Sequence, residues 1–292
     1  LAAADVLILV ADASGKSDPN GNPCTSCNPI KDVTTVNDEL VQWIASIIKK
    51  HISKLSKRSD GVNALGEILT GLKIDKDQIS AAIGANGLPS VKINWSDEEA
   101  SLFAKEILTR SKPILIAANK SDVKGSDKNI ESLKSDYGEK NVVGTSAAIE
   151  FALRKAHEQN IIGYIPGVRE FEITDPNVTK EQRAALDYMS LFLKEKGTNV
   201  QELINRSVFS LLDNIVVYPV EDENKYTDGF GNVLPDAILL KKGSTALELA
   251  ESIHTDIAKS MLYAIDARTK MRLARDHVLK DSDVIKIVST AK

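Results

Sequence analysis

The sequence predicts a doubly wound α/β sheet carrying a helical insert, followed by a smaller α+β unit. Two apolar runs, Val6 to Ala11 and Pro113 to Ala118, show no alternation and suit parallel strands covered on both faces. Amphipathic stretches of helical period lie between and after them. Past Asp213 short strand-like runs take over, which marks a second unit. With 292 residues, 42% hydrophobic and 27% charged, the chain can bury one large or two modest cores, which excludes disorder and collagen-like repetition.

Val6 to Ala11, between Asp5 and Asp12, is too short for the roughly 20 residues that span a bilayer, and no basic segment precedes it as in a signal peptide. The chain opens on Leu1 and runs straight into this strand, as a fragment that begins inside a domain would. Ser14 to Asn28 is rich in Gly, Pro, Asn and Ser and reads as a loop. Val36, Leu40, Ile44, Ile47, Ile48, Ile52 and Leu55 then recur at steps of one helical turn, predicting one long helix from Val33 to about Lys57. Shorter helices are expected over Val62 to Leu72 and Asp77 to Ile83. Ser96 with Glu99 is a capping box that starts a helix ending near Arg110. After the strand at Pro113, a helix begins near Asp127 and a strand covers Asn141 to Gly144. Thr179 with Gln182 caps another helix, and a last one runs from Val200 to Leu212. Beyond the boundary come strands at Ile215 to Val220 and Val233 to Leu240, a helix from Thr245 to Ile257, and strands at Met261 to Ile265 and Val284 to Val288.

Chemistry concentrates at Ala118-Asn119-Lys120-Ser121-Asp122, directly after the carboxyl end of an apolar strand, where open α/β sheets bind ligands. An ionised Asp only accepts hydrogen bonds, so Asp122 can receive the N1–H and exocyclic amine of guanine, a donor pair that adenine lacks. The stem of Lys120 can lie along a purine face, and the Asn119 amide can brace the loop or bond the base. Gly144-Thr145-Ser146-Ala147 ends the next strand. There Ser146 can orient Asp122, and the N–H of Ala147 can donate to the guanine carbonyl oxygen. An ordinary strand-to-helix turn with Ser146 as its cap explains either segment alone, but explains the ordered pair poorly.

In this order the two segments resemble the guanine-specificity motifs of the translation-factor class of P-loop GTPases. The chain most resembles the Obg superfamily and its YchF-related, archaeal-type members. The features that carry this are Val10-Ala11-Asp12-Ala13-Ser14-Gly15, the helical insert, the Asn-Lys-x-Asp segment, and a carboxy-terminal unit containing Asp228-Gly229-Phe230-Gly231-Asn232-Val233-Leu234-Pro235 and Lys242-Gly243-Ser244-Thr245. That unit resembles a TGS domain, the ubiquitin-like β-grasp module of these GTPases. The resemblance implies a GTPase domain over 1–32 and 96–213, a helical insert over 33–95 and a TGS domain over 214–292. It also implies a guanine site of Asn119, Lys120, Asp122, Ser146 and Ala147, with GTP and GDP as ligands and Mg²⁺ as cofactor. The family's phosphate loop, switch threonine and Asp-x-x-Gly segment have no counterpart here. Gly15-Lys16-Ser17 imitates the loop's tail, but Val10 stands where its first Gly belongs. Catalytic residues and Mg²⁺ ligands are therefore unassigned, and hydrolysis is not expected from this chain alone.

Cys24 and Cys27 supply only two of four tetrahedral ligands and read as residues of a plain loop, so no metal site is expected. Two cysteines in a chain this size favour a reducing compartment. His51 reads as solvated, His254 as a packing or capping residue, and Trp43 and Trp95 as partial core. The formal charge is −4, yet Lys241 to Lys292 holds ten basic against seven acidic residues, net +3, leaving −7 on the rest. Arg268, Lys270, Arg272 and Arg275 fall within eight residues and are the candidate RNA contacts. The leading expectation is a cytoplasmic, monomeric, ribosome-associated GTP-binding protein with ribosomal RNA as partner and no membrane. The alternatives are a non-catalytic RNA or ribosome adaptor and, third, a redox role for the cysteines.

Overall fold

The computed structural model describes residues 4–18, 21–25 and 27–290, which divide into two compact units, Leu1–Asn205 and Arg206–Lys292. In the first, strands β1 (Leu7–Asp12), β2 (Ile114–Asn119) and β3 (Val142–Thr145) form a parallel sheet in the order β1-β2-β3. β2 is central and buried, as its apolar run predicts. β1 departs from the expectation of burial on both faces: Leu9 and Ala11 are buried on one face, while Ile8 and Val10 are exposed on the other.

Helix α1 (Pro29–Lys50) starts where Asn28 accepts from the Ile30 N–H and Pro29 fixes the first turn. The single long helix expected to reach Lys57 is broken at His51, which leaves helical geometry and sets its Nδ1 2.8 Å from the Ile47 carbonyl. A short α2 (Ile52–Leu55) follows, then α3 (Gly61–Leu69), α4 (Lys76–Ala85) and α5 (Asp97–Ser111). Capping boxes start α4 at Asp75 and α5 at Ser96. One apolar core joins α1, α3, α4 and α5 through Ile44, Ile48, Leu65, Ile79, Phe103 and Ile107. Trp95 is buried there against Phe103, ring centres 4.9 Å apart, while Trp43 is partly exposed.

A second core lies between the sheet, α1 and α6 (Ser126–Tyr137), centred on Leu9, Ile116, Leu133 and Val142. A third joins α7 (Ala147–Glu158), α8 (Lys180–Glu195) and a small hairpin, β4 (Ile162–Gly163) with β5 (Glu172–Ile173), which sequence patterning does not predict. α9 (Val200–Asn205) is shorter than expected, because the chain continues as a π-helical turn, Arg206–Leu211.

The second unit is a five-stranded mixed sheet ordered β7-β6-β10-β8-β9, made of β6 (Asn214–Pro219), β7 (Ile238–Lys241), β8 (Met261–Asp266), β9 (Arg272–Leu273) and β10 (Asp283–Ser289). β6 and β10 run parallel at its centre and every other pair is antiparallel. The strand expected from Val233 is shorter because Val233 only bridges to Thr227. The helix expected over Thr245 to Ile257 is two: α10 (Ala246–Ile253) and α11 (Thr255–Ser260). His254 separates them with extended backbone, and its Nδ1 accepts from the Asp256 N–H at 3.2 Å, the capping role foreseen for it.

Candidate functional site

Parallel register sets Asp12, Asn119 and Thr145 side by side at the carboxyl edge of the sheet. The chain leaves β2 through Lys120, whose φ of 66° is in the left-handed region and costs a non-glycine residue about 1–2 kcal/mol. Two interactions offset it: the Ser121 N–H donates to the Thr145 carbonyl at 3.0 Å, and Lys120 Nζ lies 2.6 Å from Asp12 Oδ2. Asp12 also accepts from the Ser14 N–H and from the Ser14 and Ser17 hydroxyls. Burial alone would raise the Asp12 pKa, but the Lys120, Ser14 and Ser17 donors outweigh it and lower it to about 2.

The two sequence segments meet through paired hydrogen bonds. Ser146 Oγ donates to Asp122 Oδ1 at 2.6 Å and accepts from the Ile149 N–H at 3.4 Å, so it orients the carboxylate and caps α7 together. The Ala147 N–H donates to Asn119 Oδ1 at 3.0 Å. Asn119, Lys120, Asp122, Ser146 and Ala147 thus gather at one sheet edge. A cleft of about 230 Å³ opens beside Asn119 and Lys120, with Asp12, Ser17 and Asp32 in its walls.

Sequence reasoning misses the support beneath this edge. Glu150, on the first turn of α7, is buried and takes Thr198 Oγ1 at 2.6 Å, Tyr164 OH at 2.9 Å and Arg154 Nε at 2.7 Å. Burial pushes its carboxyl up, and these three donors hold it below the usual glutamate value. The Thr198 carbonyl receives the Ser146 N–H at 3.0 Å, and the Asn199 amide donates to the Gly144 carbonyl at 2.9 Å. The segment at 198–199 therefore holds the chain at Gly144 and at Ser146. The one available signal was an acid on the apolar stripe shared with Ile149 and Leu153.

The Mg²⁺ that the resemblance implies has no ligand assigned among the described residues: Asp12, at the end of β1, already accepts from Lys120 and two serines, and Mg²⁺ at a nucleotide site is held largely by phosphates and water. Cys24 and Cys27, expected as residues of a plain loop, are joined as a disulfide, the loop bringing their Cα atoms to 6.0 Å.

In the second unit the four basic candidates are exposed but each has an internal partner. Arg268 donates to the Ser282 carbonyl at 2.8 Å, Lys270 to the Glu223 carbonyl and Arg275 to the Ala258 carbonyl at 3.3 Å. The Arg272 guanidinium stacks on the Tyr263 ring at 3.7 Å. Among the described residues no helix is long and apolar enough to cross a membrane.

Residues 117–222 match the family described as Obg-like GTPase YGR210-like, G4 motif-containing domain, and residues 230–289 match the TGS domain. An uncharacterized GTP-binding protein of Methanocaldococcus jannaschii is 48% identical over 99% of this chain and 74% of its own length. An uncharacterized GTP-binding protein of Schizosaccharomyces pombe is 25% identical over 86% of this chain and 64% of its own. The crystal structure of a GTP binding protein from Pyrococcus horikoshii OT3 superposes with a TM-score of 0.78 at 39% identity, covering 98% of this chain and 79% of that one. The YchF GTPase of Schizosaccharomyces pombe shares the fold, with a TM-score of 0.53 at 17% identity over 97% and 72% of the two chains. With its paired motifs on one sheet edge and a β-grasp unit behind them in sequence, the chain belongs to the Obg-like, YGR210-like family of GTP-binding proteins with a TGS domain.

Proposed function

We propose that this chain recognises the guanine base of GTP and GDP at the carboxyl edge of its parallel sheet. The observation that carries this is the Ser146 to Asp122 hydrogen bond of 2.6 Å, which aims a carboxylate from one loop with a hydroxyl from the next. Asp122 accepts N1–H and the exocyclic amine, while the Lys120 stem covers the ring. The Ala147 N–H, released by Asn119, turns to the base carbonyl oxygen, and the Asn119 amide re-pairs with the base or the loop. GTP hydrolysis to GDP and phosphate is the reaction we assign to the whole protein. No residue of this site is assigned to the phosphates or to Mg²⁺.

The setting we propose is the ribosome, with Arg268, Lys270, Arg272 and Arg275 on RNA phosphates. Exposure and the net charge of +3 over Lys241 to Lys292 support that reading. Internal bonds use only part of each group's hydrogen-bonding capacity, leaving N–H donors for phosphate. Titration of the chain with GDP, IDP and ADP tests the base site. IDP lacks the exocyclic amine and should bind about 10-fold more weakly than GDP, with ADP weaker still. Equal affinity for all three would refute it.

A further inference from the structure

The second unit contains a feature that base recognition does not use. Phe230, in the loop before β7, is 95% exposed, and it is held there. Asp228 accepts from the Phe230 N–H at 2.9 Å and from the Asn232 N–H and side-chain amide, each at 2.8 Å. Behind the ring, a Cβ on Gly229 would lie 2.8 Å from Glu221 Oε2, and Gly231 has a φ of 89°, so both glycines suit this loop geometry. The backbone of the loop is thereby ordered before any partner arrives, and the exposed ring offers apolar surface for a partner to cover.

Asp228, Pro235 and Asp236 from the same stretch line a groove of about 680 Å³, with Phe230 two residues along the chain from Asp228. Ile253, Ile257 and Val288 supply apolar lining, and Glu221, Asp228 and Asp236 bring three carboxylates. Among the described residues Lys286 is the one cation in the lining, and Glu223 already neutralises it at 2.6 Å. Among the described residues neither Glu221 nor Asp236 has a cationic partner, so the groove keeps a net negative field. Phosphate chains of a nucleotide or RNA would be repelled by these carboxylates. An apolar lining with acidic groups instead matches a segment that alternates lysine or arginine with apolar side chains, and the Phe230 face can take one such cation.

We infer that Phe230 and this groove form a docking surface for a basic, partly apolar segment of another protein. The surface is distinct from the Arg268 to Arg275 strip and opposite to it in charge. The test uses the whole chain with assigned backbone amide signals and three probes: a short peptide of alternating lysine and leucine, its glutamate-for-lysine counterpart, and single-stranded poly(U). The basic peptide is expected to shift signals of residues 219–221, 228–238 and 286–289. Phe230→Ala should weaken it about 10-fold without changing the melting temperature, since so little of the ring is buried. Glu221→Gln with Asp236→Asn should weaken it similarly and flatten its salt dependence. The inference is overturned if the acidic peptide binds equally, if poly(U) shifts the same signals, if the basic peptide shifts signals elsewhere, or if Phe230→Ala changes affinity less than about twofold.

Discussion

Removing Glu150 should destabilise the first unit far more than a surface charge would, and the structure sets the size of the effect. Alanine leaves the Thr198 and Tyr164 hydroxyls, both buried, without an acceptor. Each orphaned hydroxyl costs about 1–3 kcal/mol, so the pair predicts a loss of about 4 kcal/mol. Glutamine keeps one carbonyl oxygen, enough for the two hydroxyls that share Oε2, while its amide faces Arg154, which can turn toward water. Its cost should be about 1.5 kcal/mol, that of one charge-assisted bond. At about 2–4 °C per kcal/mol for a unit of this size, calorimetry should find its transition lowered by about 8–16 °C for Glu150→Ala and about 3–6 °C for Glu150→Gln. The Glu150 pKa is lowered on folding, so its stabilisation is complete above the unfolded value of 4.5 and is lost as pH falls through the native value. The wild-type lead over Glu150→Gln should therefore shrink below about pH 4.5. Two variants within about 1 kcal/mol of each other and of the wild type would refute the argument.

The Asp12 carboxyl should titrate near 2 by carbon NMR, and Lys120→Ala should move it toward 3.8. Its contribution to stability is present above 3.8 and disappears as pH falls through about 2, so a midpoint near 3.8 in the wild type would remove the ion pair from the account. If all four basic residues of the second unit meet RNA phosphates, binding should fall with salt at a log-log slope near about −3.6, taking the B-DNA coefficient as a guide. Replacing all four with alanine should then abolish co-sedimentation with ribosomes at moderate salt. Equal pelleting of variant and wild type would remove these four residues from the RNA contact.

What the sequence discloses is what depends on neighbours along the chain. The capping boxes at Ser96 and Thr179 start helices as expected, because their hydrogen bonds span three residues. Asn119 to Asp122 and Ser146 to Ala147 were legible for the same reason, each segment being continuous and placed after an apolar strand. The break at His51 was hidden, since the apolar stripe runs on through Ile52 and Leu55 while the backbone does not. Exposure of Ile8 and Val10 reflects one face of β1 left uncovered, which its composition does not encode. The Glu150 cluster draws Tyr164 from 14 positions away and Thr198 from 48, beyond any local pattern. Likewise four basic residues close in sequence have four different internal partners, a dispersal that only tertiary structure reveals.

Exchange of the Asp122 carboxylate for an amide is the most direct test of base selection by this residue. Asp122→Asn leaves Ser146 able to hydrogen-bond but sets an amide N–H against one guanine donor, at a cost of at least about 2 kcal/mol. Paired titrations of the wild type and the variant with GDP and xanthosine diphosphate should show GDP affinity falling about 30-fold while xanthosine diphosphate affinity rises, because xanthine presents a carbonyl where guanine has its amine. Unchanged GDP affinity, or equal weakening of both nucleotides, would contradict the assignment.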